Sequence, residues 1–323
     1  MRRRFFGAAA GMITLGASAF VARAAAPAST RIPVGGLPCD VAFSPNGHTA
    51  YVPNSVTRNV SVIDVATGLV VDTIALRDAP RTIAISPSGA LAYVTEPTRD
   101  SVAVLCLPAG KLGAPIEVGT FPHTVAFSPT RPIAFVSNTG DNSLSVIDIE
   151  RGGVFNDAIP VGDEPRDLAF SPNGALAYVS NFRAGTVSVV DVSSCSVSGT
   201  ISLDSEFPSA IAFARDGDTA YVSHGGGIVS VIDVASSTVD DTIEVGSGPC
   251  GMAVSPDGST AFVTNQNDGT VSVIDIATNA VRDTIDAGGR PVAVGISPDG
   301  TRAYIADSGS STVSAITLPP ASD

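Results

Sequence analysis

Pro249–Arg290 reads PCGMAVSPDGSTAFVTNQNDGTVSVIDIATNAVRDTIDAGGR, the unit from which most of the chain is built. Pro256 of its SPDG turn has counterparts at Pro45, Pro87, Pro129, Pro172 and Pro298. Arg215 occupies the same place in a degenerate copy, so the spacing is 41 to 43 residues throughout. Seven copies at a period near 42, each with four short strand-like runs, predict an all-β seven-bladed propeller of four-stranded antiparallel blades.

Within each copy the first run resembles Val41-Ala42-Phe43 and ends in a tight turn such as Ser44-Pro45-Asn46-Gly47. Proline presets the turn corner and glycine supplies the left-handed residue that closes it. The second run is AYVPN, AYVTE, AFVSN, AYVSN, AYVSH, AFVTN and AYIAD, ending at Asn54, Glu96, Asn138, Asn181, His224, Asn265 and Asp307. The third is VSVID-like, closed by Asp64, Asp148, Asp191, Asp233 and Asp275, which are expected to cap the next turn by accepting backbone N–H groups. The fourth carries Thr73-Ile74, Thr242-Ile243 and Thr284-Ile285, expected to form an exposed β-branched edge.

The two ends of the repeat array complement each other. Ile32-Pro33-Val34-Gly35-Gly36 has the frame of a fourth strand with no blade before it, and the last copy stops at Pro319 without its own fourth strand. A ring closed by the N-terminal strand completing the C-terminal blade leaves no open seam.

The chain has 323 residues, 44% hydrophobic and 15% charged, with mean hydropathy +0.30. Packed small sheets that bury both faces of most strands account for that apolarity without a membrane. Residues 1–24 read as a signal peptide: Arg2-Arg3-Arg4, an apolar Phe5–Val21 rich in Gly and Ala, and a small-x-small site at Ala22-Arg23-Ala24. Arg2-Arg3-Arg4-Phe5-Phe6 fits a twin-arginine signal as well as an ordinary secretory one. Residues 25–30 read as a spacer, 31–318 as the propeller and 319–323 as a tail, in a periplasmic or secreted protein with no membrane span after leader removal. The formal charge is −13, and −17 once the four arginines of the leader are discounted. Such a surface argues against nucleic acid as a partner, as does the register of Phe43, Tyr51, Phe127 and Phe170, which places these aromatics in blade packing rather than on a stacking platform.

The AYVSN and AFVTN strands, the SP[ND]G turns and the TVSVID strands together resemble the YVTN-repeat, YncE-like family of exported seven-bladed β-propellers, over residues 31–317. Copies 1, 4 and 6 fit best. Copy 2 loses the aspartate to Cys106, copy 3 has Thr130-Arg131 in the turn, and copy 5 has Ala214-Arg215. The chain has no tryptophan, which separates it from WD-type repeats. The resemblance specifies a fold and leaves function open, since propellers carry enzymes and binding modules alike.

Functional residues are therefore sought where the chain departs from its own repeat. At the loop-rich end of the ring, the residue after the repeat proline forms an inner ring: Cys39, Arg81, His123, Arg166, Ser209, Cys250 and Val292. The strand-end residues Asn54, Glu96, Asn138, Asn181, His224, Asn265 and Asp307 form a second ring. Repeated asparagine suits loop-bridging hydrogen bonds. Arg81, His123 and Arg166, on three consecutive copies, form a carboxylate or phosphate clamp, unless Glu96, Asp163, Glu164 and Asp167 pair with the arginines at the rim.

The reading is a non-catalytic monomer that binds a small anionic ligand, a peptide or an extracytoplasmic protein through this face. The alternative is a lactonase- or lyase-like enzyme using His123 or His224 with Glu96 as acid and base, an activity found among related propellers. No cofactor is expected. A metal at the mouth would draw on Cys39, His123, His224 and Cys250, which suit copper or zinc but come from four separate copies. The sequence has no GxSxG elbow, HExxH, Walker loop, EF-hand loop or CxxC. The four cysteines are expected to be mostly free, packed thiols, with Cys39–Cys250 across the mouth the one pairing to check.

Overall fold

The computed structural model describes residues 29–107, 109–155 and 157–318; the leader, most of the spacer and the tail fall outside them. Seven antiparallel sheets follow one another around a ring, the first six ordered from inner to outer strand in chain sequence. In the sixth blade the strands are Pro249–Val254, Thr260–Asn265, Thr270–Asp275 and Ala280–Asp286. Blades 2 and 3 break the outer strand into two pieces, Lys111–Leu112 with Ile116–Glu117 and Gly153–Val154 with Ile159–Pro160. Among the described residues a single 3-10 turn, Pro97–Arg99, is the one helical element, and no helix is long and apolar enough to cross a membrane.

The ring closes as the repeat frame requires. Ser29–Pro33 pairs antiparallel with Thr312–Thr317, from Ser29 opposite Ile316 to Pro33 opposite Thr312, and becomes the fourth strand of blade 7. It begins at Ser29, two residues before the boundary read from the sequence. A second contact crosses the same seam at the other end: a Cβ on Gly47 would sit 3.5 Å from Pro298 of blade 7. Gly89 stands likewise against Pro45, Gly217 against Pro172 and Gly300 against Pro256, while Gly174 and Gly258 meet Thr130 and Arg215 where the preceding turn departs from the repeat.

Each of seven apolar clusters is shared by two consecutive blades, which places the core between sheets. An inner-strand phenylalanine packs on the second-strand aromatic of the preceding blade in Phe43–Tyr304, Tyr93–Phe127, Phe135–Phe170 and Tyr178–Phe213, with ring centroids 4.7 to 4.9 Å apart. Full burial of one such side chain contributes about 1.5–3 kcal/mol, so the seams hold the ring together. The second strand, flanked by two strands of its own sheet and by both neighbouring blades, is buried along nearly its whole length, as in Ile133–Asn138. The outer strand is the exposed edge expected of it along most of Leu69–Ala75, Thr73 included. Ile74, Ile243 and Ile285 are the exception: each is buried in the cluster shared with the next blade.

The aspartates that close the third strands cap turns as expected. Asp64 Oδ1 accepts the amide and hydroxyl of Thr67 at 2.8 and 2.7 Å, and Asp275 does the same for Thr278.

Candidate functional site

The inner ring converges. Cys39, Arg81, His123, Arg166, Ser209, Cys250 and Val292 all line one central cavity of ≈ 460 Å³. A small hydroxyl in the second strand of the preceding blade fixes three of its members, His123, Arg166 and Ser209. Ser137 Oγ donates to the Arg166 carbonyl of the next blade at 2.7 Å and accepts the Thr124 amide of its own blade at 3.0 Å. Thr95 Oγ1 links the Thr82 amide to the His123 carbonyl, and Ser180 Oγ links the Asp167 amide to the Ser209 carbonyl, in the same way. One hydroxyl thus ties an inner strand to its neighbour and sets the height of the ring residue.

The cavity is electrostatically uneven. His123 presents Nδ1 to Thr124 Oγ1 at 3.2 Å, while its Nε2 is buried with no hydrogen-bond partner among the described residues. Burial, then the charges of Arg81 and Arg166, push its proton affinity well below the usual histidine range, so the ring is neutral at physiological pH. Arg166 lies with its guanidinium carbon 3.1 Å from the ring centroid of Phe182 and its Nη2 3.8 Å from Glu164 Oε1, and Arg183 also approaches Glu164, at 3.4 Å. Arg81 enters no ion pair among the described residues. Of the rim ion pairs read from the sequence, Arg166–Glu164 alone is formed among the described residues; Glu96, Asp163 and Asp167 do not meet Arg81 or Arg166.

The second ring does not reach the cavity, and this corrects the grouping of Glu96, His224, Asp307 and the asparagines with a ligand site. Asn54, Glu96, Asn138, Asn181, His224, Asn265 and Asp307 are fully buried and lie outside the cavity lining. Each stands opposite the repeat proline or next to it in the sheet, as in Pro165–Asn181 and Pro208–His224, so the inner strand screens it from the channel. Asn181 Nδ2 donates to Thr186 and Ser188 at 3.0 and 2.9 Å, and Asn265 Nδ2 to Thr270 and Ser272. Glu96 accepts the Asp78 amide at 3.0 Å, His224 Nε2 meets Ser230 Oγ at 2.8 Å, and Asp307 accepts the Arg290 amide. These groups knit the loop corner of their own blade. A sequence signal for that role exists: wherever the strand ends in Asn138, Asn181 or Asn265, a glycine lies nineteen residues earlier, at Gly119, Gly162 or Gly246. A Cβ on any of them would come within 2.5–2.6 Å of the asparagine amide.

His224 is likewise absent from the group of Cys39, His123 and Cys250 that the metal reading required. Among the described residues no group of three or more His, Cys, Asp or Glu side chains converges. All four cysteines are free. Cys39 Sγ donates to the Pro80 carbonyl of blade 2 at 3.3 Å, and Cys250 Sγ to the Pro291 carbonyl of blade 7 at 3.5 Å. Burial, and then Asp40, push the Cys39 thiol up to about 12, leaving a protonated side chain rather than a thiolate. Cys106, expected to be packed, is exposed because it occupies the outward aspartate position at the end of its strand.

Two cavity residues carry chemistry that the ring reading did not single out. Asp40 and Asp167, each two positions after the repeat proline, line the cavity and clamp the following blade: Asp40 Oδ2 accepts the Ile83 amide at 2.9 Å, and Asp167 Oδ2 accepts the Ile211 amide at 2.8 Å. Burial outweighs those hydrogen bonds and raises their pKa values to about 6 and about 7. The signal lay in the frame, where the other copies carry Thr82, Thr124, Ala210, Gly251 and Ala293. Exposed aromatics were also missed. Phe121 and Phe207, 43% and 44% exposed, precede repeat prolines with φ of 54° and 63°, a left-handed backbone that turns them outward at the mouth.

A family model described as "Lactonase, 7-bladed beta-propeller" matches residues 73–201, a stretch that includes Arg81, His123 and Arg166. Comparison with curated proteins gives no match. Among solved structures the chain is similar to a chain of Kuenenia stuttgartiensis Hydrazine Synthase, at TM-score 0.83 and 22% identity, covering 96% of this chain and 100% of that one. At that identity the likeness concerns the seven-bladed fold.

Proposed function

We propose that this chain is an exported propeller of the YVTN-repeat kind whose central cavity captures a small anion between Arg81, His123 and Arg166. One observation carries the reading: these groups from three consecutive blades line a single cavity, and Arg81 enters no ion pair among the described residues. Arg166 is held by Phe182 with its cavity side available to a ligand, and the unpartnered His123 Nε2 offers a further hydrogen bond. Guanidinium groups suit carboxylate and phosphate because their planar donors match two oxygens at once. Calorimetry with a panel of small carboxylates and inorganic phosphate tests this. An anion that binds the wild-type protein is expected to lose affinity in R81A/R166A, and unchanged binding to that double variant overturns the reading.

A second reading rests on the match to the lactonase family model over residues 73–201. In it the cavity hydrolyses a lactone. Water adds to the lactone carbonyl carbon, giving its proton to His123 Nε2, while Arg81 and Arg166 hold the oxyanion that forms. Collapse breaks the ring C–O bond, and the proton passes from His123 to the departing alkoxide to give a hydroxy acid. Of the candidates His123, His224 and Glu96, His123 alone lines the cavity. A lactone panel with no turnover by the wild-type protein excludes this second reading.

A further inference from the structure

Resting on the anion reading of the same cavity, we infer that its ligand is an amino acid, a small zwitterion whose carboxylate is held by Arg81, His123 and Arg166 and whose ammonium is held by Asp40 and Asp167. The cavity carries both signs of charge and keeps them apart. Asp40 and Asp167 lie one residue further along the inner strand than the arginine ring, and all five side chains line the same space. Among the described residues neither aspartate forms an ion pair, although three arginines, Arg81, Arg166 and Arg290, share their cavity. A buried carboxylate with no counter-charge is costly, and a ligand cation removes that cost.

Each carboxyl group retains acceptor capacity. Asp40 Oδ1 accepts the Val41 amide at 2.8 Å and Oδ2 the Ile83 amide at 2.9 Å, and a carboxylate offers about four lone-pair sites. The clamp on the next blade does not by itself require an acid, since the other five seams have Thr, Ala or Gly at this position. Burial holds both groups partly protonated, which is the condition an arriving ammonium relieves. The cavity, ≈ 460 Å³, falls within the range of about 300–1,000 Å³ usual for small-molecule sites.

Thermal-shift screening of the folded, leader-free protein with the free L-amino acids, their N-acetyl derivatives and their carboxamides separates the contributions. At least one free amino acid is expected to raise the melting temperature, and calorimetry is expected to show its N-acetyl and carboxamide forms binding about tenfold or more weakly, a difference of about 1.4 kcal/mol. D40N/D167N keeps an acceptor oxygen for the Ile83 and Ile211 amides and is expected to abolish the preference for the zwitterion over its N-acetyl derivative. Equal binding of the N-acetyl derivative overturns the zwitterion while leaving the anion reading in place. Response to simple carboxylates or phosphate with none to any free amino acid does the same. Failure of every anion overturns both. Stabilisation by calcium chloride alone, lost in D40N/D167N, reassigns the acid pair to a cation and overturns the inference.

Discussion

The inner ring and the strand-end ring are neighbours in the sheet, yet they are governed by different physics. Pro165 stands opposite Asn181; one step past the proline, Arg166 enters the cavity, while the asparagine is shut behind the inner strand. Chemical variety in the first ring is therefore exposed to a ligand. Variety in the second, Glu96, His224 and Asp307, changes how a blade closes its own corner. A residue that departs from its repeat thus identifies a site only when its position faces a cavity.

The largest expected effect lies in the strand-end ring. Asn181→Ala removes two buried hydrogen bonds and is expected to cost about 3 kcal/mol in denaturant unfolding, whereas Ser209→Ala in the inner ring costs about 1 kcal/mol or less. Gly162→Ala, which places a Cβ 2.6 Å from the Asn181 amide, is expected to cost about 2–3 kcal/mol. In an Asn181→Ala background much of that cost disappears. Additive losses in the double variant contradict the proposed packing of glycine against asparagine.

Next come the buried aspartates. Asp167 binds its proton more tightly in the folded chain, at about 7, than the ordinary value of 3.8 at which the unfolded chain releases it. Between those values the unfolded state holds fewer protons, so stability falls as pH rises from about 4 to about 7 and levels off above. Asp167→Asn removes this decline. The variant is expected to exceed the wild type by roughly 1–3 kcal/mol at pH 8 and to match it near pH 4, as read from urea midpoints at each pH. A constant difference across that range rejects the assignment.

Within the inner ring, R81A/R166A is expected to reduce anion affinity by about 10- to 100-fold with a change of less than about 1 kcal/mol in unfolding free energy. His224→Ala is expected to reverse that pattern, altering stability while leaving the affinity unchanged. The smallest effect is one of rate. Iodoacetamide is expected to label exposed Cys106 first, with Cys39 and Cys250 slow in the folded protein, as mass spectrometry of quenched time points can show. Rapid labelling of Cys39 means that it is not held as a buried thiol.

Much of the architecture was legible because a repeat states each local rule several times. The proline spacing, the glycine of the turns and the orphan strand at Ile32 led to seven blades and their closure without any long-range information. The inner ring was legible for the same reason, as one frame position with unusual residues. The strand-end ring was misassigned to the ligand face, since Asn181 and Arg166 differ in exposure through the packing of the inner strand, which has no counterpart in composition. Asp167 was visible as a departure from threonine, alanine and glycine, but its sealed surroundings were not. The outward turn of Phe121 and Phe207 depends on a left-handed backbone before proline, and nothing in their register with the apolar strands signals it.

The sequence by itself determined the blade, the number of blades and the seam that closes them, because strand alternation and turn chemistry act over a few residues and repeat. The tertiary structure alone decided which departures from the repeat share a cavity. Burial and the sign of neighbouring charges arise when blades meet, and they set His123 neutral, raise Asp40 and Asp167, and leave Arg81 without an ion pair among the described residues.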